Sequence, residues 1–129
     1  MITEQQFRQN VQRILDALNT GDWGALDKAA DELFSADYVW HLPGLRDPVR
    51  GPDGFKQTVR SGVESSPGYR ATIEDVLTMG DRAAARLVER RTDPATGKTQ
   101  HHTVIMINHL KVGKFAEDWQ LVGPWEDEG

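Results

Sequence analysis

"TMGDRAAARLVERRTDPATGKTQHHTVIMINHLKVGKFAEDWQLV", residues 78–122, decides the fold. It holds three runs rich in aliphatic and β-branched residues: Arg82–Thr92, His101–Leu110 and Phe115–Val122. The links between them, "DPATGK" and "VGK", are hairpin-sized and carry turn residues. A fourth run, Tyr69–Met79, comes before them across "GD". The spacing predicts a four-stranded antiparallel meander.

Upstream the period changes from two to about 3.6. Thr3 followed by Gln6 forms a capping-box pattern. Phe7, Val11, Ile14, Leu15 and Leu18 then recur at helical spacing, predicting a helix over 4–19 that "NTGD" ends. Asp22 is placed to cap a second helix that buries Trp23, Leu26, Ala29, Leu33 and Phe34. "SAD" reads as a break before a short edge strand, Tyr38–Leu42, and "PGLRDPVRGPDG" as a loop. A third helix has Phe55, Val59 and Val63 on one face and stops at "ESSPG". Helices gathered before a meander indicate an α+β fold. The expectation is a curved antiparallel sheet wrapped around three helices, a cone with an internal pocket. A length of 129 residues suits one domain over 1–129 with a core of its own.

Composition narrows the function. The net charge is −5, and Arg82, Arg86, Arg90 and Arg91 cluster only among acids. A nucleic-acid or membrane binder shows a concentrated basic face instead. The absence of cysteine excludes disulfides, thiolate catalysis and zinc–sulfur sites. "MITEQQFRQN" lacks the apolar core of a signal peptide, and no apolar run approaches the roughly 20 residues that span a bilayer. A cytoplasmic protein that binds neither nucleic acid nor membrane is expected.

Strand alternation nominates the site. In "RAAARLVERRTD", Ala83, Ala85, Leu87, Glu89, Arg91 and Asp93 share one face, and Arg82, Arg86 and Arg90 the other. The first face should meet the helices; the second suits water or a partner subunit. An arginine beside carboxylates favours their charged form and an apolar cavity the neutral one, so Glu89 or Asp93 can be tuned for proton transfer. A solvated charge ladder fits the same residues. In "YVWHLPG", residues 38–44, Val39 and His41 share a face opposite Tyr38, Trp40 and Leu42, the bulkier set that suits the core. Pro43 and Gly44 should turn His41 to the mouth of the cavity as a base; a core histidine bonded to backbone is the plainer alternative. His101 and His102 are adjacent, so only one faces inward. Trp119 is expected on the inner face with Phe115 and Leu121. Trp40, Phe55, Trp119, His102 and Arg91 are candidates to contact a planar, hydrophobic ligand. A metal site needs more converging ligands than the sequence places, and no cofactor is expected.

Several strings resemble the SnoaL-like branch of the nuclear-transport-factor-two-like superfamily. They are "WHLPG" with "VRGPDGFKQTV", then "TIEDVLTMGDRAAAR" and "GKFAEDW". The resemblance implies the cone-shaped α+β fold, and a homodimer through the outer face of the sheet. It also implies chemistry like that of polyketide cyclases, ester cyclases, ketosteroid isomerase or limonene epoxide hydrolase. The acidic base of the isomerases maps to His41-Leu42. The cyclase aspartate that follows the last-strand tryptophan has no match, since Gln120, Leu121, Val122 and Gly123 follow Trp119. A cyclase histidine maps to about Asp93, and the hydrolase Arg-x-Asp to Arg91-Thr92-Asp93. The hydrolases' second aspartate, on the last strand, finds no counterpart. The expected function is cofactor-independent acid–base catalysis on a small hydrophobic or polycyclic metabolite, of cyclase, isomerase or hydrolase type. The catalytic candidates are His41, Asp93 and Glu89. The alternative is a binding protein that uses the same pocket without turnover.

Overall fold

The computed structural model describes residues 2–128. Helix α1 (Glu4–Thr20) begins with the capping box: the Gln6 amide donates to Thr3 Oγ1 and the Thr3 amide to Gln6 Oε1. It stops at Gly21, whose left-handed φ of 65° lets its N–H reach the last carbonyls. Helix α2 (Trp23–Leu33) starts where Asp22 accepts from the Ala25 amide. It runs into strand β1 (Phe34–His41) with no intervening loop, because Phe34 already pairs with Phe115 of β6. The predicted break at "SAD" is an outward bulge of β1 instead: six residues, Phe34 to Val39, lie opposite three, Phe115 to Glu117, on the partner. The predicted loop contains a two-residue strand, β2 (Val49–Arg50), and leads into α3 (Gly51–Glu64).

The meander is β3 (Arg70–Met79), β4 (Arg82–Thr92), β5 (Thr99–Lys111) and β6 (Lys114–Val122), and a short β7 (Glu126–Asp127) follows. The sheet order is β2-β1-β6-β5-β4-β3, with β7 beside β5. The sheet is therefore mixed, not purely antiparallel, because β1 pairs with β6 in parallel. It curves without closing, and its concave face is covered by the helices: the cone-shaped α+β architecture. β1 has neighbours on both sides, so it is not an edge strand.

The core forms where α1 and α3 meet that face. Phe7, Val11, Leu15 and Leu18 of α1 and Phe55 of α3 pack with Phe34, Tyr38, Ala85, Val104 and Phe115 of the sheet. No helix among the described residues is long and apolar enough to cross a membrane.

One local irregularity governs the inner surface. Leu110 of β5 pairs with Phe115, but His109 pairs with Glu117, so β6 carries one extra residue there. This bulge inverts the alternation beyond it. Phe115 points inward, and so do Asp118 and Gln120; Trp119 and Leu121 point outward and are exposed. The expected inward Trp119 and Leu121 are thus corrected, and the reason is the bulge.

Candidate active site

A cavity of about 410 Å³ lies between α1, α3 and the concave face of the sheet. That size suits a small organic ligand. Its middle is apolar: Leu15 and Val59 from the helices face Leu87, Val104 and Met106 from the sheet. The polar groups gather at its two ends.

At the deep end, three residues form one cross-strand row. Trp40 of β1 pairs with Asp118 of β6, and Asp118 with Asn108 of β5. All three are buried. Trp40 Nε1, Asp118 Oδ1 and Asn108 Nδ2 each lack a hydrogen-bond partner among the described residues. Buried polar atoms are rarely left so, and three in one row on a cavity wall point to a ligand that completes them. The other Asp118 oxygen accepts a long bond, 3.4 Å, from the Tyr38 hydroxyl. Burial pushes the Asp118 carboxyl up to about 7, against a small downward pull from Tyr38. Burial, then the nearby Asp118 charge, holds the Tyr38 phenol well above its usual range. Asp118 is thus poised between acid and base at neutral pH, while Tyr38 remains a neutral donor.

At the other end, Glu89 of β4 stands opposite His102 of β5. His102 Nε2 and Glu89 Oε1 are 2.6 Å apart, and the Tyr69 hydroxyl donates to the other oxygen of Glu89. Burial, followed by the Glu89 charge, raises the Tyr69 phenol far above its ordinary range. Trp125 closes this end. Pro124 lacks the N–H needed to continue the ladder, so the chain loops out between β6 and β7. Trp125 is thereby set against His102, with ring centroids 3.6 Å apart, and beneath Arg91, whose guanidinium carbon lies 4.3 Å from the indole centroid. Asn108 lies six positions along β5 from His102, a run of about 20 Å.

The predicted residues divide by phase. Glu89, Arg91, His102, Trp40 and Phe55 line the cavity. His102 is the inward member of its pair; His101 turns outward to Glu126 and Glu128. Arg86 and Arg90 lie on the outer face as expected from alternation. Arg86 pairs with Asp75 and Arg90 with Glu128. Glu74 is the bulged residue of β3 and accepts a hydrogen bond from the Thr72 hydroxyl.

His41, Asp93 and Trp119 do not line the cavity. His41 follows the alternation of β1 onto the outer face, where its ring stacks on Trp119 at 5.4 Å and its Nε2 is 2.7 Å from Glu117. The turn at Pro43 and Gly44 comes too late to redirect it. Asp93 caps the β4–β5 turn through the Ala95 amide and the Thr96 hydroxyl; these bonds hold its carboxyl below the usual range. Sequence reasoning missed Tyr38, Asn108, Asp118 and Trp125 as site residues. Asp118 adjoins Trp119, but a search for a carboxylate after that tryptophan passes over the residue before it.

The SnoaL-like domain profile matches residues 11–118. The chain belongs to that family. Solved structures agree in fold. IdmH of Streptomyces antibioticus, a candidate polyketide cyclase, is 26% identical at a TM-score of 0.73, over 88% of this chain and 89% of that one. A candidate SnoaL-like polyketide cyclase from Jannaschia sp. CCS1 is 15% identical at a TM-score of 0.77, over 92% and 86%. A candidate ketosteroid isomerase from Kribbella flavida is 15% identical at 0.70, over 98% and 84%. The latter two share the fold alone. Hydroxymethylglutaryl-CoA synthase of Haloferax volcanii is 36% identical over 62 residues, which span 14% of that protein's length. This SnoaL-like family member therefore has cyclase-type and isomerase-type structural neighbours.

Proposed function

We propose that this protein is a cofactor-independent acid–base enzyme that enolises a hydrophobic carbonyl compound, with Asp118 as the proton-transfer group. The observation that carries this reading is the row Trp40–Asp118–Asn108. It sets a carboxyl with a pKa near neutrality beside an unpartnered amide donor at the end of an apolar cavity. Ionised Asp118 takes a proton from the carbon next to the carbonyl. The C–H electron pair moves into a new C=C bond, and negative charge develops on the carbonyl oxygen. Asn108 Nδ2, with the indole N–H of Trp40, donates to that oxygen. The enol(ate) then attacks an internal electrophile, which is cyclisation, or recovers the proton at another carbon, which is isomerisation. Hydrolysis, which needs an activated water, is the less supported branch.

The test uses 2-tetralone as surrogate. In D2O its α-hydrogens exchange slowly, and NMR should show faster exchange with the protein present. Asp118→Asn should remove the acceleration. Acceleration that survives in Asp118→Asn would end the assignment of Asp118. The second reading, binding without turnover, is favoured by one fact: no second carboxylate stands in the deep row. Exchange at the buffer rate in the wild type would favour it.

A further inference from the structure

We propose that Arg91 forms an anion subsite at the Trp125 end of the cavity. Resting on the acid–base reading, this makes the substrate an elongated, mainly apolar carbonyl compound that carries a carboxylate or similar oxyanion at the end remote from the reacting carbon.

Arg91 lines the cavity and is fixed on two sides. Its Nε donates to Gln100 Oε1 at 3.0 Å, and Gln100 is in turn held by donating to Asp127 Oδ1 at 2.9 Å. The Trp125 ring supports the flat face of the guanidinium. Side chains held this way lose little freedom when a ligand arrives.

The acids nearby are otherwise engaged. Glu89 is held by His102 and Tyr69, Asp93 by its own turn, and Asp127 by Gln100 and Lys98. The outer-face arginines of the same strand each have a carboxylate partner. Gln100 is the polar partner of Arg91 among the described residues, and it uses one of five N–H groups. The terminal nitrogens remain as a fork suited to a planar oxyanion. Arg91 makes no salt bridge among the described residues, although its charge helps to keep Asp93 ionised, so in a chain of net charge −5 its fork is placed for a ligand. The apolar stretch between Arg91 and the Asp118 row accounts for the rest of the ligand.

Isothermal titration of the intact protein with 2-naphthoate and the neutral 2-naphthamide tests the subsite. The wild type should bind the carboxylate about tenfold or more tightly than the amide. Arg91→Gln should abolish that preference and leave the amide affinity unchanged, which also shows that the variant is folded. Asp118→Asn should keep the preference. Failure of naphthoate to bind, equal affinities in the wild type, a preference that survives in Arg91→Gln, or equal loss of both ligands in that variant would each overturn the proposal. Equal affinities in the wild type with tetralone exchange intact reject the subsite alone. A preference without exchange rejects the acid–base reading alone.

Discussion

Asp118 of β6 stands directly across the sheet from Asn108 of β5, and each keeps one buried polar atom without a partner among the described residues. A folded protein of modest stability tolerates few such atoms, since each carries a desolvation penalty of about 1–3 kcal/mol. Their pairing makes function and stability pull against each other, and the consequences are measurable.

Asp118 should make stability fall as pH rises. Its folded-state pKa, about 7, lies above the ordinary aspartate value of 3.8. Between those values the folded state binds more protons than the unfolded state, so unfolding becomes easier with rising pH and levels off above about 7. Asparagine imitates the neutral acid and removes this term. Asp118→Asn should thus be more stable than wild type at pH 8, by several kcal/mol, and nearly equal to it at pH 4. Urea melts across that range would reject the assignment if the two curves ran parallel.

Asn108→Leu removes the unpartnered amide and keeps the bulk. Folding should gain about 1–2 kcal/mol. Acceleration of tetralone exchange should fall about 100-fold or more, as for loss of an oxyanion donor. A variant that is more stable and fully active would show that Asn108 has no part in the chemistry.

Tyr38→Phe is milder. The bond lost is 3.4 Å long, so folding should lose no more than about 1 kcal/mol. The Tyr38 hydroxyl draws the Asp118 pKa down, so the pKa should rise in the variant. Carbon-13 NMR titration of labelled aspartate reads this directly, and a downward shift would contradict it.

His41→Ala should leave exchange and ligand binding untouched, because the ring lies on the outer face against Trp119 and Glu117. Its partly exposed ion pair predicts a loss of no more than about 1 kcal/mol in a thermal melt. A variant that folds normally and loses tetralone exchange would return His41 to the mechanism.

The outer face also bears on assembly. Ile105 pairs with Leu121 and Ile107 with Trp119, and all four are exposed. We propose that this apolar ladder, not the arginines of β4, joins two copies in a homodimer. Leu121→Glu should then sediment as a monomer at micromolar concentration where the wild type is a dimer. A monomeric wild type would refute it.

How much of this was legible depended on how regular each strand is. The phase of β4 was readable because it pairs with β5 without a break from Arg82 to Thr92, so counting by twos from Ala83 reaches Glu89 and Arg91 correctly. In β6 the same counting fails after Phe115, because the bulge is set by its pairing with β5, and pairing is not local. That single step hid Asp118 and wrongly nominated Trp119. The helices were readable from their caps and apolar spacing. The parallel contact of β1 with β6 joins residues some 80 positions apart, and nothing in either segment announces it. Trp125 lay beyond the last predicted strand, where the loop at Pro124 carries it inward.

The bulge at Phe115–Glu117 makes the reactive group a matter of reading frame. Smoothing the bulge by pairing Ala116 with His109 would swing Glu117, Trp119 and Leu121 into the cavity and Asp118 and Gln120 out of it, with no side chain chemically altered. Lineages built on this scaffold can therefore exchange one catalytic complement for another by gaining or losing the bulge at constant chain length. Alignments that treat the strand as gapless would then equate residues on opposite sides of the sheet.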